Sequence, residues 1–132
     1  MTYQKSFTSY SDHWSTPDSF YKKLDAEFQF DYDPCPLNAD FDGLNTEWGQ
    51  INYVNPPYSD WCPWVKKAIE ELEKGRISVM LLPARTSHSC FHDYILPYAK
   101  EVRFIRGRLK FGNSGKGAPF GSMVVVFDRE VS

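Results

Sequence analysis

Long apolar runs, paired cysteines and a bias of charge are all missing from this chain of 132 residues. Its longest apolar stretches, Val79-Met80-Leu81-Leu82 and Met123-Val124-Val125-Val126-Phe127, fall far short of the roughly 20 residues that cross a bilayer, so no membrane segment is expected. The opening Met1-Thr2-Tyr3-Gln4-Lys5-Ser6 lacks the apolar stretch and small-residue cleavage site of a secretory signal, and a cytoplasmic location is expected. Cys35, Cys62 and Cys90 form no C-x-x-C pair. Three widely spaced cysteines indicate neither a disulfide framework nor a zinc site, and they are read as reduced thiols. His88 and His92 stand four apart, but no Glu follows His88 to complete H-E-x-x-H, so no metal is expected. Gly112 to Gly117 contains Gly-Lys-Gly without the spacing of a P-loop, and a strand rather than a helix follows it.

What is present fills a single domain, residues 14–132, behind a polar, patternless arm at 1–13. The net charge of −2 excludes a uniformly basic nucleic-acid coat. It hides a gradient. Residues 1–70 carry eleven acids and five bases, whereas residues 71–132 carry six acids and ten bases. A polyanion should therefore meet the C-terminal half. Aromatic residues make up 17% of the chain, four of them Trp, more than a small core absorbs, so some rings are expected to line a binding surface.

Thr16 and Pro17 read as the N-cap and first position of a helix whose apolar face is Phe20, Leu24 and Phe28. Phe28, Phe30 and Tyr32 then alternate with polar residues, a strand period that would deliver Asp33 to a strand end. Residues 35–50 are rich in Asn, Asp and Gly and suggest a long, ordered loop. Ile51-Asn52-Tyr53-Val54 is a short strand stopped by Asn55-Pro56-Pro57. Trp61, Trp64, Val65, Ala68, Ile69 and Leu72 give a helix capped by Ser59 or Asp60 and ended at Gly75. Residues 77–82 read as a buried strand, and a further helix carrying Phe91 and Ile95 should end at Pro97. Strands are expected at 102–105, 108–111 and 122–127. This alternation predicts an α/β fold with a mostly parallel sheet and an antiparallel C-terminal hairpin, with ligands beyond the strands' carboxyl ends.

Asn55-Pro56-Pro57-Tyr58 is the most specific feature. The Asn55 side-chain carbonyl and the Pro56 backbone carbonyl can both accept hydrogen bonds from one amino group on a planar ring, drawing its lone pair out of conjugation. Prolines fix φ and stiffen the turn, and Tyr58 can stack on the ring, worth about 1–3 kcal/mol per base. A strand-ending turn with a buried tyrosine is the bland alternative.

Here the sequence resembles the S-adenosylmethionine-dependent methyltransferases acting on adenine N6, and in particular the small phage and prophage enzymes of the Dam family. The likeness runs from Trp14 to Phe127. It includes Trp14-Ser15-Thr16-Pro17, Phe30-Asp31-Tyr32-Asp33-Pro34-Cys35, Asp42-Gly43-Leu44, Trp48-Gly49, the turn at 55–59, Leu82-Pro83-Ala84-Arg85-Thr86 and Gly107-Arg108-Leu109-Lys110-Phe111. It implies a reduced Rossmann-like methyltransferase sheet, S-adenosylmethionine as cofactor and DNA as partner, in a phage- or prophage-encoded enzyme of a bacterial cell, a monomer or weak homodimer. By resemblance Trp14 and Thr16 hold the methionine end of the cofactor, Asp33 and Pro34 match its first motif, Asp42 contacts the adenosine part and Leu44 packs on its ring. Asn55, Pro56, Pro57 and Tyr58 are the implied catalytic residues.

No glycine-rich turn follows Asp33, unlike in larger relatives, and the span from Asp33 to Ile51 is too short for two ordinary βα units. No segment is left for a separate target-recognition domain, so short or relaxed DNA specificity is expected. Arg85, Arg106, Arg108, Lys110 and Lys116 are placed to meet phosphates; Arg103 and Lys110 equally fit the solvated face of a sheet. Two other functions remain open: a catalytically weak or inactive nucleic-acid-binding relative, and an RNA adenine methyltransferase.

Overall fold

The computed structural model describes residues 15–110 and 120–129; the arm expected at 1–13 and the segment Gly112 to Gly117 lie outside them. Helix α1, Asp18–Phe28, starts one residue later than the sequence suggests, with Pro17 as the cap, its carbonyl accepting from Tyr21 N–H at 3.0 Å. Gln29 ends it in the left-handed region at φ 60°, and Phe30 N–H then donates to the Asp25 carboxylate at 3.0 Å.

Residues 28–32 do not form the expected strand. Only Tyr32 bridges, in parallel, to Asn52. A ladder would continue through Ile51 N–H, but the Asp31 carboxylate accepts that group and Gln50 N–H at 3.3 and 3.1 Å. A side chain has replaced the backbone as partner.

The strands are β1, Ile51–Val54; β2, Ile77–Pro83; β3, Glu101–Phe104; and β4, Ser122–Phe127, in spatial order β1-β2-β4-β3. β1 and β2 run parallel, with Val54 opposite Met80. β4 lies antiparallel to both its neighbours, Ser122 facing Pro83 and Met123 facing Phe104. The sheet is therefore mixed, with most pairings antiparallel, and the expectation of a mostly parallel, Rossmann-like sheet is overturned. A parallel return needs a crossover of a dozen or more residues, usually helical. The sequence has no helical period after Tyr98, and β4 comes back against the strand direction. Residues 108–110 belong to none of these strands.

Helix α2, Cys62–Glu73, connects β1 to β2. Neither Ser59 nor Asp60 caps it; Trp61 does so without a side-chain bond, and Pro63 fills the first turn. Its end is the one the sequence predicts. Gly75 sits at φ 86°, with Gly75 N–H donating to the Leu72 carbonyl and Arg76 N–H to the Glu71 carbonyl, the paired bonds of a Schellman motif. Phe91–Ile95 forms a wide π turn that runs into a helical turn, Leu96–Tyr98. Pro97 thus lies within the second turn instead of ending the first, tolerated because an opening turn does not use its N–H.

Cys62 and Cys90 are joined as a disulfide, their Cα atoms 6.0 Å apart, inside the usual range. The expectation of three reduced thiols is corrected. The pair forms because α2 packs beside the 91–98 segment, which a sequence separation of 28 does not reveal. Cys35 remains a buried thiol.

The sheet is buried on both faces. On one, Val54, Met80, Leu82, Met123, Val125 and Phe127 pack with Trp64, Val65 and Ala68 of α2 and with Phe91 and Ile95. On the other, Tyr53, Val79, Leu81, Val124 and Val126 meet Leu24, Phe20 and Phe28 of α1. The loop at 35–50 is tied down by Trp48, whose indole N–H donates to the Gly43 carbonyl at 2.8 Å and whose ring stacks on Trp64. Gly43 is obligatory there, since a Cβ would overlap the Pro34 carbonyl. Glu71, fully buried, anchors the same region. Its carboxylate meets Arg76 at 2.6 Å, Lys67 at 3.1 Å, Lys74 at 3.2 Å and Trp48 N–H at 3.3 Å.

Candidate active site

The register of the sheet gathers the candidate residues at one end. Asn55 follows β1, Ala84 and Arg85 follow β2, Ile105 to Arg108 follow β3, and Phe120 and Gly121 precede β4. Ala84 N–H donates to the Gly121 carbonyl and Ile105 N–H to the Ser122 carbonyl, at 2.8 and 3.0 Å, fixing these loops against one another.

Within the turn, Pro56 is buried and Asn55, Pro57 and Tyr58 are half-buried. Asn55 Nδ2 donates to Thr16 Oγ1 at 3.2 Å. The same hydroxyl is hydrogen-bonded to the buried Tyr53 hydroxyl at 2.5 Å. Tyr53 and Asn55 point to one side because strand side chains alternate with a period of two. Burial pushes the Tyr53 phenol up, against the opposing effect of its bond to Thr16, so it stays protonated. Tyr58 contacts Phe120, with ring centroids 4.8 Å apart and planes 40° apart.

Beside Asn55 opens a cavity of about 270 Å³, lined by Thr16, Asp18, Asp33, Leu37, Tyr53 and Asn55 among others. Burial raises the Asp33 carboxyl above its usual range, while a hydrogen bond from Cys35 N–H to Oδ1 at 2.9 Å acts the other way. The Cys35 thiol is pushed up to about 12 by burial and then by the Asp33 charge, which makes it an inert wall of the cavity.

Of the residues read from the sequence as cofactor contacts, Thr16 and Asp33 line this cavity. Pro34 is buried behind it, its carbonyl against Gly43. Asp42 and Leu44 lie elsewhere: the Asp42 carboxylate accepts from Leu44 N–H and Asn45 Nδ2 at the head of the 3₁₀ turn Gly43–Asn45, and Leu44 packs on the core. Trp14 and Lys116 fall outside the described residues. Arg85, Arg106, Arg108 and Lys110 are exposed, the first of them following β2 and the others following β3. Arg103 instead grips Glu27 of α1 and Glu101. His88 accepts from Cys90 N–H and lies on Trp61.

Sequence reasoning missed Tyr53, Asp18 and Phe120. The strand period relating Tyr53 to Asn55 was available. Nothing in the sequence announced Phe120, which reaches Tyr58 only because β4 starts beside the end of β2.

The sequence model of a family described as DNA N-6-adenine-methyltransferase (Dam) matches residues 4–131. A protein of Haemophilus phage HP1 (strain HP1c1) named DNA N-6-adenine-methyltransferase is 30% identical over 132 residues, covering 89% of this chain and 76% of its own length. One of the same name from Escherichia phage T1 is 33% identical over 95 residues, 62% of this chain and 40% of that protein. No solved structure matches the chain significantly.

Proposed function

The chain belongs to the Dam family of DNA N-6-adenine-methyltransferases, and from that premise we propose that the turn after β1 holds the target amine while the cavity beside it holds the methyl donor. The reaction is methyl transfer to the N6 amino group of adenine in DNA. The observation that carries this division of labour is the hydrogen bond from Asn55 Nδ2 to Thr16 Oγ1 at 3.2 Å. It joins the Asn-Pro-Pro-Tyr turn to the cavity wall.

S-adenosylmethionine fits the donor set, because its ammonium and sulfonium charges suit a cavity carrying Asp18 and Asp33 beside Pro36 and Leu37. When bound it supplies a methyl group activated on sulfur. Asp33, Ser15 and Thr16 would hold its methionine end. The Asn55 amide oxygen and the Pro56 carbonyl would accept hydrogen bonds from the two N6–H groups of the adenine, drawing the nitrogen lone pair out of conjugation with the ring. The turn catalyses mainly by proximity and orientation, and the stiffness of Pro56 and Pro57 limits the reorganisation needed. Adenine must leave the duplex to reach them, at a cost of a few kcal/mol. Tyr58 stacks on it and Phe120 adds a second aromatic wall. Arg85, Arg106, Arg108 and Lys110 anchor flanking phosphates, joined in this reading by Lys116.

Among the described residues no helix is long and apolar enough to cross a membrane. We place the enzyme in the cytoplasm of a bacterial cell, phage- or prophage-encoded like its two relatives, as a monomer or weak homodimer.

Incubation with labelled S-adenosylmethionine and a panel of DNA and RNA substrates tests the reading. N6-methyladenine should appear on DNA, and Asn55→Ala should lower kcat at saturating cofactor by about 10²-fold or more. Unchanged turnover in Asn55→Ala would remove the turn from the mechanism, and methylation of RNA alone would change the substrate.

A further inference from the structure

The side chains that approach Asn55 are not part of the Asn-Pro-Pro-Tyr turn. Thr16 comes from the segment before α1 and Tyr53 from the interior of β1, 39 and 2 residues away, yet both meet at one oxygen. A hydroxyl has one proton and two acceptor sites. The Tyr53 residue is 3% exposed, and a buried O–H donor needs an acceptor. Tyr53 therefore donates to Thr16 Oγ1, which also accepts from Asn55 Nδ2. Both acceptor sites are filled, and the Thr16 proton is left for the cavity that Thr16 lines.

We propose that Thr16 and Tyr53 are positioning residues that set which way round the Asn55 carboxamide lies. The amide is planar, with oxygen and nitrogen on opposite branches. Fixing Nδ2 on Thr16 fixes Oδ1 on the other side, where an acceptor for the target amine is required. Without Thr16, the two orientations of the amide come closer in energy, and the flipped one presents a donor to a donor.

This inference rests on the proposed role of Asn55. Thr16→Val keeps the side-chain volume and removes the acceptor. At saturating cofactor and DNA its kcat should fall about ten- to a hundred-fold, the cost of a misplaced group, a loss that saturation does not rescue and that is therefore separate from any rise in cofactor KM caused by removing a hydroxyl of the cavity wall. Thr16→Ser should restore most of the turnover. Tyr53→Phe should show a smaller loss, and the double variant should be no worse than Thr16→Val alone, since both act through one oxygen.

A second readout needs no cofactor. The Asn55 side-chain NH₂ pair, assigned by its disappearance in Asn55→Ala, should shift in the ¹⁵N–¹H spectrum of Thr16→Val and return in Thr16→Ser. Inactive Asn55→Ala beside fully active Thr16→Val would overturn the positioning role and leave the turn intact, as would an effect confined to the cofactor KM. Active Asn55→Ala would overturn the reading on which the inference stands. If Thr16→Val does not fold, Tyr53→Phe decides: an unshifted NH₂ pair and unchanged kcat overturn the proposal.

Discussion

Two acids of this protein stand in opposite electrostatic situations. Glu71 is fully buried between α2 and the 35–50 loop. Burial alone would raise its pKa, but Arg76, Lys67, Lys74 and Trp48 N–H outweigh it, and the carboxyl is held down near 2. Asp33 lies half-buried in the wall of the cavity, and there burial prevails over a single backbone hydrogen bond. Among the described residues no cation pairs with Asp33. The first carboxylate has its counter-charges built in and works as a clamp. The second carries an unbalanced cost that a cationic ligand would relieve, which supports the proposed placing of the methyl donor beside it.

Removing the clamp should have the largest effect on stability. Glu71→Ala leaves Arg76 and Lys67 facing a vacated buried site and should cost about 3 kcal/mol or more, read as a lower urea midpoint. A loss below about 1 kcal/mol would break the contrast. The clamp also has a pH signature. Its folded pKa lies below the unfolded value of 4.5, so its contribution is full above that value and is lost as pH falls toward 2.

Next comes Gly43→Ala, in the loop that connects the two sites. Its Cβ would strike the Pro34 carbonyl, next to Asp33, and overpacking of this kind costs about 1–3 kcal/mol. If the loop only clamps, the variant loses stability alone; if it also shapes the cavity, cofactor affinity falls with it.

Asp33→Asn should reverse the pattern, leaving thermal stability unchanged or slightly higher while weakening S-adenosylmethionine at least about tenfold, or about 1.4 kcal/mol, by calorimetry. The sign follows from the raised pKa. The ionised form is disfavoured in the folded protein, so neutralisation does not destabilise it, and wild-type affinity for a cation should decline as pH falls through that raised value. A large drop in melting temperature would make Asp33 a second clamp. The smallest effect belongs to Arg103, whose pairs with Glu27 and Glu101 are a third to a half exposed. Arg103→Met should change stability by less than about 1 kcal/mol, which separates solvated ion pairs from the Glu71 cluster.

Much of the local structure was legible in the sequence. The 3.6-residue period from Trp61 to Leu72 and the glycine at 75 located α2 and its end, and the apolar runs at 77–82 and 122–127 located β2 and β4. The turn at 55–58 was legible as well, because two prolines after a β-prone tetrapeptide leave few alternatives. Period two failed at Phe28–Tyr32, where the Asp31 carboxylate took the Ile51 N–H through which the ladder would have continued. Strand direction was misread because periodicity is the same for parallel and antiparallel strands. The cysteines were misread because spacing along the chain says nothing about packing across it.

The site divides along the same line. Residue type at Asn55, Pro56 and Tyr58 follows from the order of the chain, as do the acidic first half and the basic second half. Which side chains stand around them was decided by the tertiary structure. Thr16, Tyr53, Asp33 and Phe120 come from four places, and only the register of β1, β2 and β4 and the docking of α1 bring them to one end of the sheet. Local preference acts over a few residues, through backbone torsions and neighbouring side chains. Hydrogen bonds and buried charges form between whatever groups packing brings together, and in this protein they decide which side chains surround the turn at 55–58.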